Sequence, residues 1–116
     1  MDRQTKLDAH AERNSKLLEI FREKNVDLDE SRSVEVHFWA WGQQSSVRLA
    51  QDLYRRGFTV LLLGPAKNQQ GSPDLWNVEA GTATTITRAA SGEFTAMLTD
   101  VAASFDAEYD GWGTAI

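Results

Sequence analysis

The chain of 116 residues contains no cysteine. That absence removes disulfide scaffolds, thiolate zinc sites, iron–sulfur clusters and thiol catalysis together. Its two histidines, His10 and His37, stand at no metal-ligand spacing. There is no Gly-x-Ser-x-Gly elbow, Walker lysine or Gly-x-Gly-x-x-Gly turn, so neither a nucleophilic serine nor a phosphate cradle has a motif. No purely apolar run is longer than that from Val60 to Leu63, far short of a membrane span. The N-terminus is charged and lacks the apolar stretch of a signal peptide. These absences predict a cytoplasmic protein with no metal, no cofactor and no membrane contact, and they argue against an enzyme.

Basic residues are also scarce. Twelve Lys and Arg face seventeen Asp and Glu, a net charge of −5. Residues 1–33 are near neutral at −1 and residues 34–66 stand at +1. Residues 67–116 hold only Lys67 and Arg88 against Asp74, Glu79, Glu93, Asp100, Asp106, Glu108 and Asp110. An acidic C-terminal half disfavours direct binding to nucleic acid and suits either a solvated surface or a face for a basic protein partner.

The hydrophobic periodicity is consistent with one domain. Residues 3–24 read as a helix with Leu7, Ala11, Asn14, Leu18 and Phe21 on one side and a Glu12–Lys16 pair at i,i+4. Its polar first turns are expected to project or fray. Asn25 to Ser33 reads as a connection. Val34 to Trp41 alternates Val34, Val36, Phe38 and Ala40 against Glu35, His37, Trp39 and Trp41, which predicts a strand with the first set inward. After Gly42, Ser45 or Ser46 is expected to cap a helix reaching Arg56, with Val47, Ala50, Leu53 and Tyr54 as its apolar side and Gly57 as its stop. Phe58 to Leu63 reads as a central strand. Ala66 to Pro73 reads as a loop. Leu75 to Ala80 reads as a strand, its propensity continuing through Thr82 to Thr87. Ser91 is expected to cap a last helix with Phe94, Met97, Leu98, Val101, Ala102 and Phe105 inward, and Glu108 to Thr114 to close the fold as a strand.

One helix followed by β-α-β-β-α-β predicts an α+β fold, a ferredoxin-like βαββαβ sandwich at residues 34–116 preceded by the helix and connection at 1–33. The first helix is expected on the far face of the sheet or at its edge.

Chemistry has few carriers. Glu108 and Asp110, two apart on a strand, would share a face, and a shared proton between them is the one catalytic arrangement conceivable. His37 alone on a strand reads as a structural or surface residue. Trp39 or Trp41 together with Trp76 could form a base-stacking platform on an open sheet, giving a single-stranded RNA-binding module. Glu35, Asp74 and Glu79 beside them repel phosphate, which favours a protein-binding patch instead.

The tail carries a resemblance. Ala103-Ser104-Phe105-Asp106-Ala107-Glu108-Tyr109-Asp110-Gly111-Trp112-Gly113-Thr114 closely resembles the closing motif of the RraB family, regulators of ribonuclease E activity. The layout upstream is similar too: a long first helix, a strand with His37, and a helix ending Arg56-Gly57-Phe58-Thr59-Val60. The resemblance implies a ferredoxin-like sandwich without catalytic activity. Members act by protein–protein contact on the endoribonuclease, outside its catalytic centre, and so inhibit RNA cleavage. Well-known members are more acidic in the first half and carry an acidic tail after the motif, features this sequence does not show. For the motif itself, Gly111 and Gly113 are expected to let the strand bulge so that Trp112 turns onto the sheet or a helix. The candidate partner-binding residues are Trp39, Trp41, Glu108, Asp110 and Trp112.

Overall fold

The computed structural model describes residues 2–66 and 74–115. Its elements in chain order are α1 (Arg3–Glu23), β1 (Arg32–Trp41), α2 (Gln43–Arg55), β2 (Thr59–Pro65), β3 (Leu75–Thr84), the short α3 (Ile86–Ala89), α4 (Gly92–Ala103) and β4 (Ala107–Thr114). The loop expected at Ala66 to Pro73 lies, for residues 67–73, outside the described residues. The fold is α+β. The four strands form one antiparallel sheet in the order β2-β3-β1-β4.

Alternation along β1 decides what the sheet buries. Val34, Val36, Phe38 and Ala40 are all but inaccessible to solvent. The register sets Val36, Phe38 and Ala40 beside Ala80, Val78 and Trp76 of β3, and beside Trp112, Tyr109 and Ala107 of β4. Because side chains directly opposite share a face, all of these point to one side. The helices cover that side: α2 lies against β2 and β3, α4 against β4, and α1 against α4. Leu49, Ala50 and Leu53 from α2 and Phe94, Leu98, Val101 and Ala102 from α4 complete the core.

Several local expectations change. No side chain caps α2: Gly42 occupies the N-cap at φ +100°, and the Ser46 hydroxyl donates back to the Gln43 carbonyl at 2.6 Å. The buried stripe of α2 is Ser46, Leu49, Ala50 and Leu53, while Tyr54 is 70 % exposed. A small serine fits against the sheet where a tyrosine ring would not, so the face is turned from the one expected. β2 is an edge strand, not a central one, and its apolar run is exposed rather than doubly covered. The strand propensity expected through Thr87 ends at Thr84. Thr85 instead caps α3, its hydroxyl accepting from the Arg88 amide at 3.0 Å, the use of a β-branched residue that a strand scale cannot see.

The N-terminal helix neither projects nor crosses to the far face. Arg3 makes a two-pronged contact with Asp100 of α4 at 2.8 and 3.1 Å, which holds the Asp100 carboxyl below the ordinary aspartate range. Phe21 packs on Trp112 with ring centroids 6.1 Å apart. Both α1 and α2 end in the same turn. Amides of Asn25 (φ +58°) and Val26 close α1 onto Arg22 and Phe21, and those of Gly57 (φ +96°) and Phe58 close α2 onto Tyr54 and Leu53.

Candidate protein-binding face

The side of the sheet that no described helix covers carries the other half of the β1 alternation. Glu35, His37, Trp39 and Trp41 stand opposite Gly81, Glu79, Asn77 and Leu75 of β3. On the β4 side, Trp39 stands opposite Glu108 and His37 opposite Gly111. Leu62 of β2 stands opposite Glu79. Trp41 is 50 % exposed, Trp39 is half-buried, and among the described residues none of these face positions is a lysine or arginine.

His37 sits between carboxylates. Its Nδ1 is 3.2 Å from Glu79 Oε1 and its Nε2 is 3.9 Å from Glu35 Oε2. Asp110 joins it from the neighbouring strand, and His37, Trp39, Asn77, Glu79 and Asp110 line a shallow depression of about 250 Å³. Asp110 reaches it because β4 bulges there. Phe38 stands opposite Tyr109 and His37 opposite Gly111, so Asp110 is the extra residue.

That bulge depends on Gly111. Its φ of +131° lies in the region that disfavours side chains, and a Cβ there would run into the Arg13 guanidinium. Arg13 holds its place by donating to the Trp112 carbonyl at 3.3 Å. Beside it His10 stacks on the Tyr109 ring at 5.0 Å, with its Nε2 3.1 Å from the Tyr109 carbonyl. Lys6 lies 3.7 Å from Glu108. The closing motif is thus gripped from outside by one face of α1.

The five sequence candidates therefore separate. Trp39, Trp41 and Asp110 share the open face, and Glu108 lies at its rim. Trp112 points the other way and is 2 % exposed, with its indole N–H donated to Asn14 Oδ1 at 2.8 Å. It meets no partner directly while the fold is intact. Trp76 stands opposite Ala40 on the helix-covered side, so it cannot form a stacking platform with Trp39 or Trp41. No hydrogen bond joins Glu108 to Asp110: one faces Lys6, the other the His37 depression.

Asn14 is the residue whose part the sequence left unassigned. It is 4 % exposed; its Nδ2 donates to Thr95 Oγ1 at 3.3 Å and to the Ala90 carbonyl at 3.4 Å, while its Oδ1 accepts from Trp112. The signal was a polar side chain in the middle of an apolar helical stripe. Among the described residues no group of three or more His, Asp or Glu is placed to hold a metal ion, and no helix is long and apolar enough to cross a membrane.

The family model described as "Regulator of ribonuclease activity B", RraB, matches residues 11–114. The chain belongs to the RraB family. No curated protein matches it. The matched span takes in α1 from Ala11 onward together with the motif it grips, so the Asn14–Trp112 lock lies inside the RraB unit.

Proposed function

We propose that this RraB chain is a non-catalytic, cytoplasmic regulator that acts by protein–protein contact on an endoribonuclease of the ribonuclease E type, restraining RNA cleavage. The observation that carries this reading is the open sheet face. It offers two tryptophans, ringed by Glu35, Glu79, Glu108 and Asp110, and among the described residues its strand positions hold no lysine or arginine, Lys6 of α1 reaching only Glu108 at the rim. Such a surface attracts a basic, arginine-rich segment and offers it indole faces for guanidinium stacking. The same charge opposes RNA, and the loss of Trp76 from this side weakens the single-stranded RNA alternative further. Trp39, Trp41, Glu108 and Asp110 serve as contacts, and Trp112 supports them from within. The strand order β2-β3-β1-β4, with β3 between the parallel pair β1 and β2 and β1 between the parallel pair β3 and β4, supports a ferredoxin-like sandwich as the scaffold.

The test is a cleavage assay with purified ribonuclease E from the same cells, alongside direct binding. The wild-type chain is expected to bind and to slow cleavage. Trp41→Ala combined with Trp39→Ala is expected to weaken binding tenfold or more, as truncation of central aromatic anchors commonly does. Absence of binding and of any effect on cleavage at near-stoichiometric concentrations refutes the reading. Quenching of tryptophan fluorescence by an unstructured oligonucleotide would support the RNA alternative.

A further inference from the structure

The sheet has two edges, and they are treated differently. The β4 edge is occupied. Side chains from α1 reach the Tyr109 and Trp112 carbonyls, Glu108 and Asp110 place charge along it, and a bulge bends it. These are the devices by which proteins keep a sheet from adding strands. The β2 edge has one of them only. A bulge at Leu61 bends it, but from Phe58 to Ala66 there is no charged residue, and proline comes only at the end of the strand. Three successive leucines, Leu61, Leu62 and Leu63, are 51 %, 43 % and 40 % exposed. β2 pairs only with β3, so its free side presents backbone donors and acceptors with no strand to meet them among the described residues.

We propose that β2 is the pairing edge for a second copy of this chain, joining two four-stranded sheets into one continuous antiparallel sheet of eight. A twofold contact requires a patch complementary to itself. An uncharged strand laid antiparallel on its own copy meets that requirement, with Leu62 of one copy against Leu62 of the other on the open face. The net charge of −5 repels a second copy least at this strand, which carries no charge of its own. The nearest carboxylate on the sheet face is Glu79, opposite Leu62 on β3. Paired through β2, the two copies' β3 strands lie three strand spacings apart, about 14 Å, beyond the Debye length of about 8 Å at physiological salt. A basic peptide finds no carboxylate on this strand, which separates its occupant from that of the tryptophan face. The dimer presents two copies of that face side by side, so a partner with repeated basic segments would engage both and gain by avidity.

The pairing is independent of the ribonuclease reading and is tested without any partner. Sedimentation equilibrium on the full chain is expected to show mass rising from 12.9 kDa toward twice that value as concentration climbs through the order of 10–100 µM, the range for a small, transient interface. Leu62→Lys is expected to shift the midpoint at least tenfold upward with an unchanged circular dichroism spectrum. Amide exchange in residues 59–64 of the wild type is expected to slow as concentration rises, which confirms the edge without relying on the variant's folding. A wild type that stays monomeric to about 1 mM overturns the proposal. So does a folded Leu62→Lys chain that dimerises like wild type, and so does concentration-dependent protection at residues 37–41 in place of 59–64.

Discussion

Asn14 and Trp112, far apart in sequence, share a 2.8 Å hydrogen bond where neither reaches bulk water. Removing one partner of such a pair strands the other, at a cost of about 1–3 kcal/mol. Trp112→Phe is therefore expected to lower unfolding stability by roughly that amount, chiefly through the unpaired Asn14 carbonyl. Asn14→Leu is expected to cost at least as much, because Thr95 and the Ala90 carbonyl lose their donor as well. The double variant should recover part of the sum, since two apolar partners leave nothing unpaired between them; urea titration of the four chains checks it. Tyr109 gives the opposite expectation. Its hydroxyl is buried with no partner among the described residues, and burial, opposed by Arg13 and helped by Asp110, pushes its pKa well above 10. Between pH 10 and the raised native value the unfolded chain releases a proton that the folded chain retains, so stability falls as pH rises through that window. Tyr109→Phe is expected to be neutral or stabilising at pH 7 and to flatten the decline above pH 10, measured by urea midpoints from pH 7 to 11. A clear loss of stability at pH 7 would mean that the hydroxyl has a partner after all.

At the scale of elements, β4 is shaped as much by α1 as by its own residues. Gly111 combines a positive φ with the guanidinium of Arg13 lying where a side chain would go. Gly111→Ala is expected to cost about 1–3 kcal/mol from backbone strain, plus displacement of Arg13. Arg13→Ala in the same chain should relieve only the steric part, and the residual deficit, read by thermal unfolding, isolates the strain. The element boundaries also show what the sequence carries openly. The inward face of β1, the Ser91 cap and the Phe94, Leu98, Val101 and Ala102 part of the α4 stripe, and the Gly57 stop of α2 are local patterns, and each is observed. Met97 is only partly buried, Phe105 lies past the helix end, and Thr95 and Thr99 join the buried side. The turned face of α2 and the brief α3 are not local matters. A serine at position 46 becomes buried only because the sheet passes close to it, and a β-branched threonine caps a helix only because the chain turns there.

For the whole molecule, two surfaces of different chemistry imply two different responses to salt. Contact of the acidic tryptophan face with a basic partner is expected to weaken severalfold between about 50 and 500 mM salt, since surface charge pairs are screened. Pairing through uncharged β2 is expected to hold or strengthen over the same range, because the mutual repulsion of two −5 chains is screened instead. Partner titrations and sedimentation at the two salt concentrations read both, and parallel loss of both would show that a single charged surface serves the two contacts.

The residues by themselves determined a cysteine-free α+β chain, the alternation that gives β1 an inner and an outer face, the acidic excess after residue 66, and a closing motif specific enough to mark the family. Those are properties of composition and short-range period, written in consecutive residues. Tertiary structure decided which strands became edges, that Trp112 and Trp76 turn inward while Trp39 and Trp41 face out, and that α1 folds back to hold the motif. Each depends on pairing between residues far apart in the chain, through β1–β4 register and the Asn14 hydrogen bonds. No local pattern encodes such a pairing, because its free energy exists only once both partners have left water together.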